Sequence, residues 1–303
     1  MLGRQISMKD TLIGSVIFVS LACWVAAICR MRGGHPLVAY QPRRPVPWGA
    51  ADLLFALLAL LVFQALAMNI AARFASPEAG SQLARVFAGA IGGLAAVGAS
   101  VTAISLHAGA SWTDFGVDRR YILADLRLGG LAFLMLAPPV YGLQHLLVQW
   151  FPSQHPLLSL LTEHGSPAVY LVVGFSAAII APLTEEYLFR LLLQGWAEGA
   201  FAARAETTES SQDISTWRHA DETQCEPETQ ALRTQEVRAG WLAILVSATL
   251  FAALHASHGP DPIPLFVLAV GLGYLYQRTH RILPSITVHF LLNSATLATF
   301  LLQ

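Results

Sequence analysis

What most constrains this chain is the recurrence of apolar runs long enough to cross a lipid bilayer. Eight stand out: Thr11–Cys29, Trp48–Ala71, Val86–His107, Leu128–Trp150, Ala168–Leu193, Trp241–His255, Ile263–Tyr276 and Ile286–Leu302. About 20 helical residues, rising about 1.5 Å each, span roughly 30 Å of hydrocarbon, so the sixth and seventh runs are marginal. A segment in hydrocarbon must satisfy its own backbone, and the strict alternation of a barrel strand is absent, so helices are expected. Charged residues make up 12% of the 303, against about 25% in an ordinary soluble domain. The expected fold class is therefore all-α, a polytopic membrane protein with about eight transmembrane helices.

Other features narrow the class further. A net charge of -1 with no basic stripe points away from nucleic acid as a partner. Cys23, Cys29 and Cys225 have neither metal-ligand nor redox spacing. Arg4 and Lys9 before the first apolar run resemble a signal peptide, but the run is long and ends in Cys29-Arg30 instead of a small-x-small cleavage site. It reads as a first membrane helix. The loops after helices 1, 3, 5 and 7 collect most of the arginines, among them Arg30, Arg32, Arg119, Arg120, Arg127, Arg278 and Arg281. The positive-inside rule then places those loops in the cytoplasm and both termini outside, in a bacterial-type plasma membrane.

Two polar stretches interrupt the apolar pattern. The one from about 205 to 238 is rich in Glu, Thr, Gln and Ser, and is expected to be a mobile loop expansion. Around Tyr121, Ile122 and Leu126, with Arg119, Arg120 and Arg127, a short interfacial helix is expected ahead of helix 4. The organisation expected is residues 1–165, four helices with the interfacial segment, then residues 166–303, a catalytic helical core carrying the insert.

Within the fifth run, LTEEYLFRLLLQ (Leu183–Gln194) holds three charges that lipid should reject. Glu186 and Arg190 are four apart and can pair across one turn, carboxylate N-terminal to cation. Glu185 lies about 100° round the helix and cannot share that pairing equally. One carboxylate is then structural, a helix-fixing ion pair, while a spare carboxylate in apolar surroundings is a candidate general base. Two further polar groups sit in apolar helices. FAALHASHG places His255 one turn after Phe251, and SITVHFLLNS places His289 and Asn293 on one helix face. Each alone reads as a hydrogen-bonded core residue; together with Glu185 they supply a base, two imidazoles and an amide for activating water and holding an oxyanion. His258 follows His255 by three, but the Gly259-Pro260 turn should take it out of the helix; His107 and His145 lack a neighbouring acid in sequence.

The ordered set Glu185-Glu186-x-x-x-Arg190, Phe251-x-x-x-His255 and His289-x-x-x-Asn293 resembles the CPBP family of intramembrane proteases. That family includes CAAX prenyl proteases of the Ras-converting-enzyme type and bacteriocin-immunity proteins. The stretch GYLYQRTHRILPSITVHFLLN also resembles the family's approach to its last motif, and the likeness runs from about Val169 to Gln303. It implies that Glu185 and His255 activate a water, that His289 and Asn293 stabilise the oxyanion, and that Glu186 pairs with Arg190. A peptide or protein substrate in or at the membrane is the implied partner. Glu185, His255 and His289 are also a legitimate ligand set for an open zinc site, which leaves zinc as an alternative to metal-independent glutamate catalysis.

Counting rises from the segment ends conflicts with this pairing, because it leaves Glu185 near one face of the membrane and His255 near the other. The motifs require them to meet, which needs the fifth helix to be tilted and overlong or the sixth to start further out. Two other classes stay open at this point. A proton-coupled transporter would also bury Glu, His and Arg, but predicts repeats and polar early helices, which are absent here. A protease-like scaffold would keep the same residues without turnover.

Overall fold

A computed structural model describes residues 8–42, 45–74, 80–151, 156–163, 165–210 and 225–301. Of the described residues 84% are helical, and none lies in a strand. In chain order the helices are α1 (Met8–Arg32), α2 (Ala50–Phe74), α3 (Gly80–Ala108), α4 (Ile122–Leu147) and the short α5 (Pro156–Glu163). A long helix α6 follows, in five segments: Pro167–Phe175, Ser176–Ile180, Ala181–Glu186, Tyr187–Gln194 and Gly195–Ser210. The last three are α7 (Cys225–Ala253), α8 (Pro262–Thr279) and α9 (Leu283–Leu301). Every one of the eight apolar runs lies on a helix. Five helices are long and apolar enough to cross a bilayer (Gly14–Arg32, Ala50–Phe74, Gln82–Ala108, Arg119–Leu147 and Pro167–Arg204), and Val237–Ala253 is a shorter apolar one.

The surface chemistry is that of a protein solvated by lipid. Phe18, Leu21, Leu54, Leu61 and Phe74 point outward and are largely exposed, whereas Glu186, Arg190, Gln194 and Ser100 are fully buried. Water would favour the reverse arrangement.

Helices α2 and α3 form an antiparallel pair. Asp52 at the start of α2 meets His107 at the end of α3 at 2.6 Å, an acidic partner 55 residues away that sequence spacing did not show. A side chain at Gly92 would lie 2.7 Å from the Gln64 Cα, so this glycine sets the closeness of the pair. Helix α4 packs on α1 and α9. Trp24 Nε1 donates to the Met135 carbonyl at 3.0 Å, pinning α1 to α4. Helix α6 is the central element, touching α2, α3, α7, α8 and α9.

Three expectations are corrected. The interfacial stretch is not a separate helix: after a single 3-10 turn (Arg119–Tyr121), capped by Asp118, the chain runs straight into α4 at Ile122. Nothing there breaks the helix, since Gly129 is needed against Thr287 and Pro284 of α9. The polar insert is partly helical, because α6 continues to Ser210 and α7 already begins at Cys225; residues 211–224 lie outside the described residues. The depth counted for Glu185 also changes. Glu185 sits near the middle of a 38-residue helical stretch, Pro167–Arg204, so counting from a shorter segment misplaced it.

The α8–α9 turn closes one end of the bundle. His280 adopts a left-handed conformation (φ 49°) that lets the chain reverse, and its Nδ1 donates to the Gln41 carbonyl at 2.7 Å. Its Nε2 lies 3.3 Å from Glu198. Arg281 makes a buried two-oxygen contact with Asp125 (2.8 and 3.0 Å) and also bonds Gln41.

Candidate active site

The Glu185-Glu186 pair stands in a six-residue α-helical stretch between two π-helical segments, Ser176–Ile180 and Tyr187–Gln194. A π register widens the turn to i→i+5 and strands backbone carbonyls, which is why such segments concentrate at functional sites. The first has a visible cause. Ala181 N–H bonds to the Ser176 carbonyl, and the next residue, Pro182, has no N–H to offer. The Ala177 carbonyl is left without its helical donor, and Asn293 Nδ2 of α9 donates to it at 2.8 Å. In the second, Ser247 of α7 donates to the Phe189 carbonyl at 2.8 Å and Trp48 Nε1 to the Leu192 carbonyl at 3.3 Å. Tyr187 is held by a 2.7 Å bond to Ser100 of α3.

The two adjacent carboxylates live in different surroundings. Glu186 is fully buried, and its Oε2 lies 3.2 Å from Arg190 Nε across one turn. The contact is ionic and off the line of an aligned hydrogen bond. Arg190 is also fully buried; its Nη2 reaches the Ala269 carbonyl at 3.5 Å, and its guanidinium carbon lies 4.7 Å from the centre of the Phe251 ring. That ring face adds cation–π attraction to the pairing with Glu186. The other Glu186 oxygen, Oε1, contacts His289 Nδ1 at 2.9 Å. Glu185, by contrast, keeps 28% of its side chain exposed, and its Oε2 lies 3.6 Å from His289 Nε2.

His289 therefore bridges both carboxylates. A carboxylate only accepts, so the 2.9 Å bond to Glu186 places a proton on Nδ1, while the 3.6 Å approach of Nε2 to Glu185 is longer than a hydrogen bond. The role of Glu186 in orienting His289 was missed from the sequence. The two residues are 103 apart, and only a three-dimensional pairing reveals it.

His255 lies just beyond the end of α7, and its Nδ1 donates to the Phe251 carbonyl at 2.8 Å. In the neutral ring that bond leaves the Nε2 lone pair available. Its ring centre is 4.9 Å from that of Phe251, and the His289 ring is 5.9 Å from the same phenylalanine. Phe251 is thus the shared wall of both imidazoles and of Arg190. Among the described residues no carboxylate pairs directly with His255. His258 lies in the 3-10 turn Ala256–His258, outside the helix as its Gly-Pro neighbours suggest, with its ring 5.7 Å from His255.

The structure thus links Arg190 to Glu186, Glu186 to His289 and His289 to Glu185, sets His255 against Phe251, and places Asn293 one turn along α9 with its amide on α6. The zinc alternative finds no assembled ligand set: no three His, Cys, Asp or Glu side chains among the described residues stand close enough together to hold a metal ion. Glu185, His255 and His289 as arranged do not fit one.

Comparison with known families places this constellation. Residues 167–295, a little under half of the chain, match the family described as type II CAAX prenyl endopeptidase Rce1-like. That stretch contains all three motifs. No curated protein and no solved structure matches the chain. Residues 167–295 are therefore similar to the Rce1-like type II CAAX prenyl endopeptidases, which supports a domain of the CPBP/CAAX protease type in this part of the chain.

Proposed function

We propose that the chain is an intramembrane endopeptidase in which Glu185 is the general base. The observation that carries this reading is the divergence of two neighbouring carboxylates. Glu186 is fully buried and engaged by both Arg190 and His289, while Glu185 is partly open and faces only His289 Nε2. A water held between Glu185 and His255 Nε2 loses its proton to Glu185 and attacks the substrate carbonyl. The developing oxyanion is stabilised by His289 and by the second amide hydrogen of Asn293, the first being given to Ala177. Glu185 then returns the proton to the leaving amine. Glu186 and Arg190 are positioning residues that hold His289 in one tautomer. No step in this scheme is assigned to a metal.

The substrate class includes prenylated CAAX peptides, with membrane peptides of the bacteriocin-immunity type as the second possibility. The arginine distribution supports a plasma-membrane orientation with both termini outside and the odd-numbered loops cytoplasmic. The test uses purified protein in detergent, wild type against Glu185→Gln, offered a prenylated CAAX peptide and a panel of membrane-segment peptides. The expected result is cleavage by wild type, loss of cleavage in the variant, and unchanged unfolding of the variant because Glu185 makes no ion pair with Arg190. Undiminished turnover by Glu185→Gln would refute the assignment. Binding of every peptide without cleavage by wild type would favour the scaffold reading. Activity that persists in strong chelator, with no metal in the purified protein, is expected; loss on chelation and recovery with zinc would overturn the metal-free scheme.

A further inference from the structure

A second feature lies away from these motifs. Between α1, α4, α7 and α8 the bundle contains an apolar cleft of about 440 Å³, within the size range of ligand sites. Its walls include Trp24 and Met31 of α1, Leu128 and Met135 of α4, Trp241 of α7 and Tyr274 of α8. Trp24 to Met31 and Leu128 to Met135 are each seven residues apart, so the cleft runs about two helical turns, roughly 10 Å, along these helices. Helix α1 packs chiefly on α4 and leaves this side open.

The cleft is apolar along its length and cationic at one end. Arg30 and Arg32 flank Met31, Arg127 precedes Leu128, and Arg278 is one turn beyond Tyr274. Arg278 is the best placed: its Nε donates to the Val38 carbonyl at 2.9 Å, and its guanidinium sits 6.0 Å from the Tyr274 ring centre, both residues lining the cleft. Among the described residues at this end, Asp125 is committed to Arg281, Asp118 to Arg120 and Glu198 to His280, while Asp114 is bonded to Ser111 within its own loop. None of these carboxylates pairs with Arg30, Arg32, Arg127 or Arg278, so among the described residues these arginines leave positive charge at this end.

We propose that this cleft binds one acyl chain of an anionic membrane phospholipid, with its phosphate held by Arg278 and the neighbouring arginines. An apolar chain two turns deep, ending in an anion, matches both the lining and the charge. The site is separate from Glu185 and His289 but shares a helix with their support. Ala269, whose carbonyl receives Arg190, immediately precedes Val270 and Gly271, which line the cleft. A bound chain would thus press α8 toward the buried ion pair.

The test is native mass spectrometry of the full chain, delipidated in detergent and then offered equal amounts of phosphatidylglycerol and phosphatidylcholine with identical acyl chains. The expected result is preferential retention of one phosphatidylglycerol. Arg278→Gln is expected to weaken that preference by about fivefold, the effect of one arginine near an anionic lipid. Val270→Trp, which fills the cleft but leaves every arginine in place, is expected to abolish retention. If Val270→Trp does not fold, Leu131→Trp, at a half-exposed lining position, makes the same test. Equal retention of the two lipids, or retention unchanged when the cleft is filled, would overturn the proposal. So would displacement of the lipid by a farnesylated peptide at equal concentration, which would assign the cleft to a substrate chain. Lipid retention is read without turnover, so its outcome is independent of the peptidase reading.

Discussion

Removing the charge of Glu186 should damage the protein in two separable ways. Glu186 and Arg190 are both fully buried. Without the carboxylate, Arg190 keeps only a long 3.5 Å bond to the Ala269 carbonyl and the face of Phe251. An uncompensated buried charge costs about 3–5 kcal/mol, a large share of a typical stability of about 5–15 kcal/mol. In Glu186→Gln the amide has a single oxygen for two donors. Facing it toward His289 turns the NH2 toward Arg190, and facing it toward Arg190 forces His289 into its other tautomer. The stability loss should therefore be largely recovered in Glu186→Gln/Arg190→Met, where no charge is left unpaired, while the cleavage defect should persist because His289 is still mis-held. The assay is denaturant unfolding in detergent of wild type, both single variants and the double variant, alongside peptide cleavage. If the two single losses simply add in the double variant, the pair is not coupled and the assigned role of Glu186 fails.

Further outcomes follow from the packing around the site. Asn293→Ala strands the Ala177 carbonyl and should cost about 1–3 kcal/mol; adding Pro182→Ala, which restores a backbone N–H beside that carbonyl, should recover part of the stability but not the cleavage. Gly129→Ala would bring a Cβ to 2.5 Å from the Thr287 Cβ and should destabilise by about 1–3 kcal/mol through overpacking, measurable as a lowered unfolding midpoint with the cleavage specificity unchanged.

Much of the fold was legible because lipid imposes simple rules. The apolar runs marked the helices, and Glu186 and Arg190 stood four apart where an intrahelical pair must stand. The partners that cross between helices were not legible. His107 finds Asp52, and His280 finds Glu198 and Gln41, through tertiary packing that no local spacing encodes. His289 appeared as one half of a His/Asn face, yet its position is set by Glu186. The division of the acidic pair into a buried and an open member did follow from helix geometry, since adjacent residues on a helix cannot share one environment.

The least legible part was the departure from that same geometry. Spacing arguments assume 3.6 residues per turn, but α6 changes to a wider register on both sides of Glu185-Glu186. Arg190 lies inside the second π segment, and its 3.2 Å contact with Glu186 is ionic without an aligned hydrogen bond. Polar groups on neighbouring elements, Ser247 of α7, Asn293 of α9 and Trp48 just before α2, are recruited to backbone carbonyls of these segments. Pro182 was the one readable signal, because a proline inside a helix must leave acceptors unfilled somewhere behind it. In hydrocarbon those acceptors cannot turn to water, so α7, α9 and the residues before α2 must come close enough to fill them. The same requirement that tightens these elements around α6 holds α9 where His289 reaches Glu185 and Glu186.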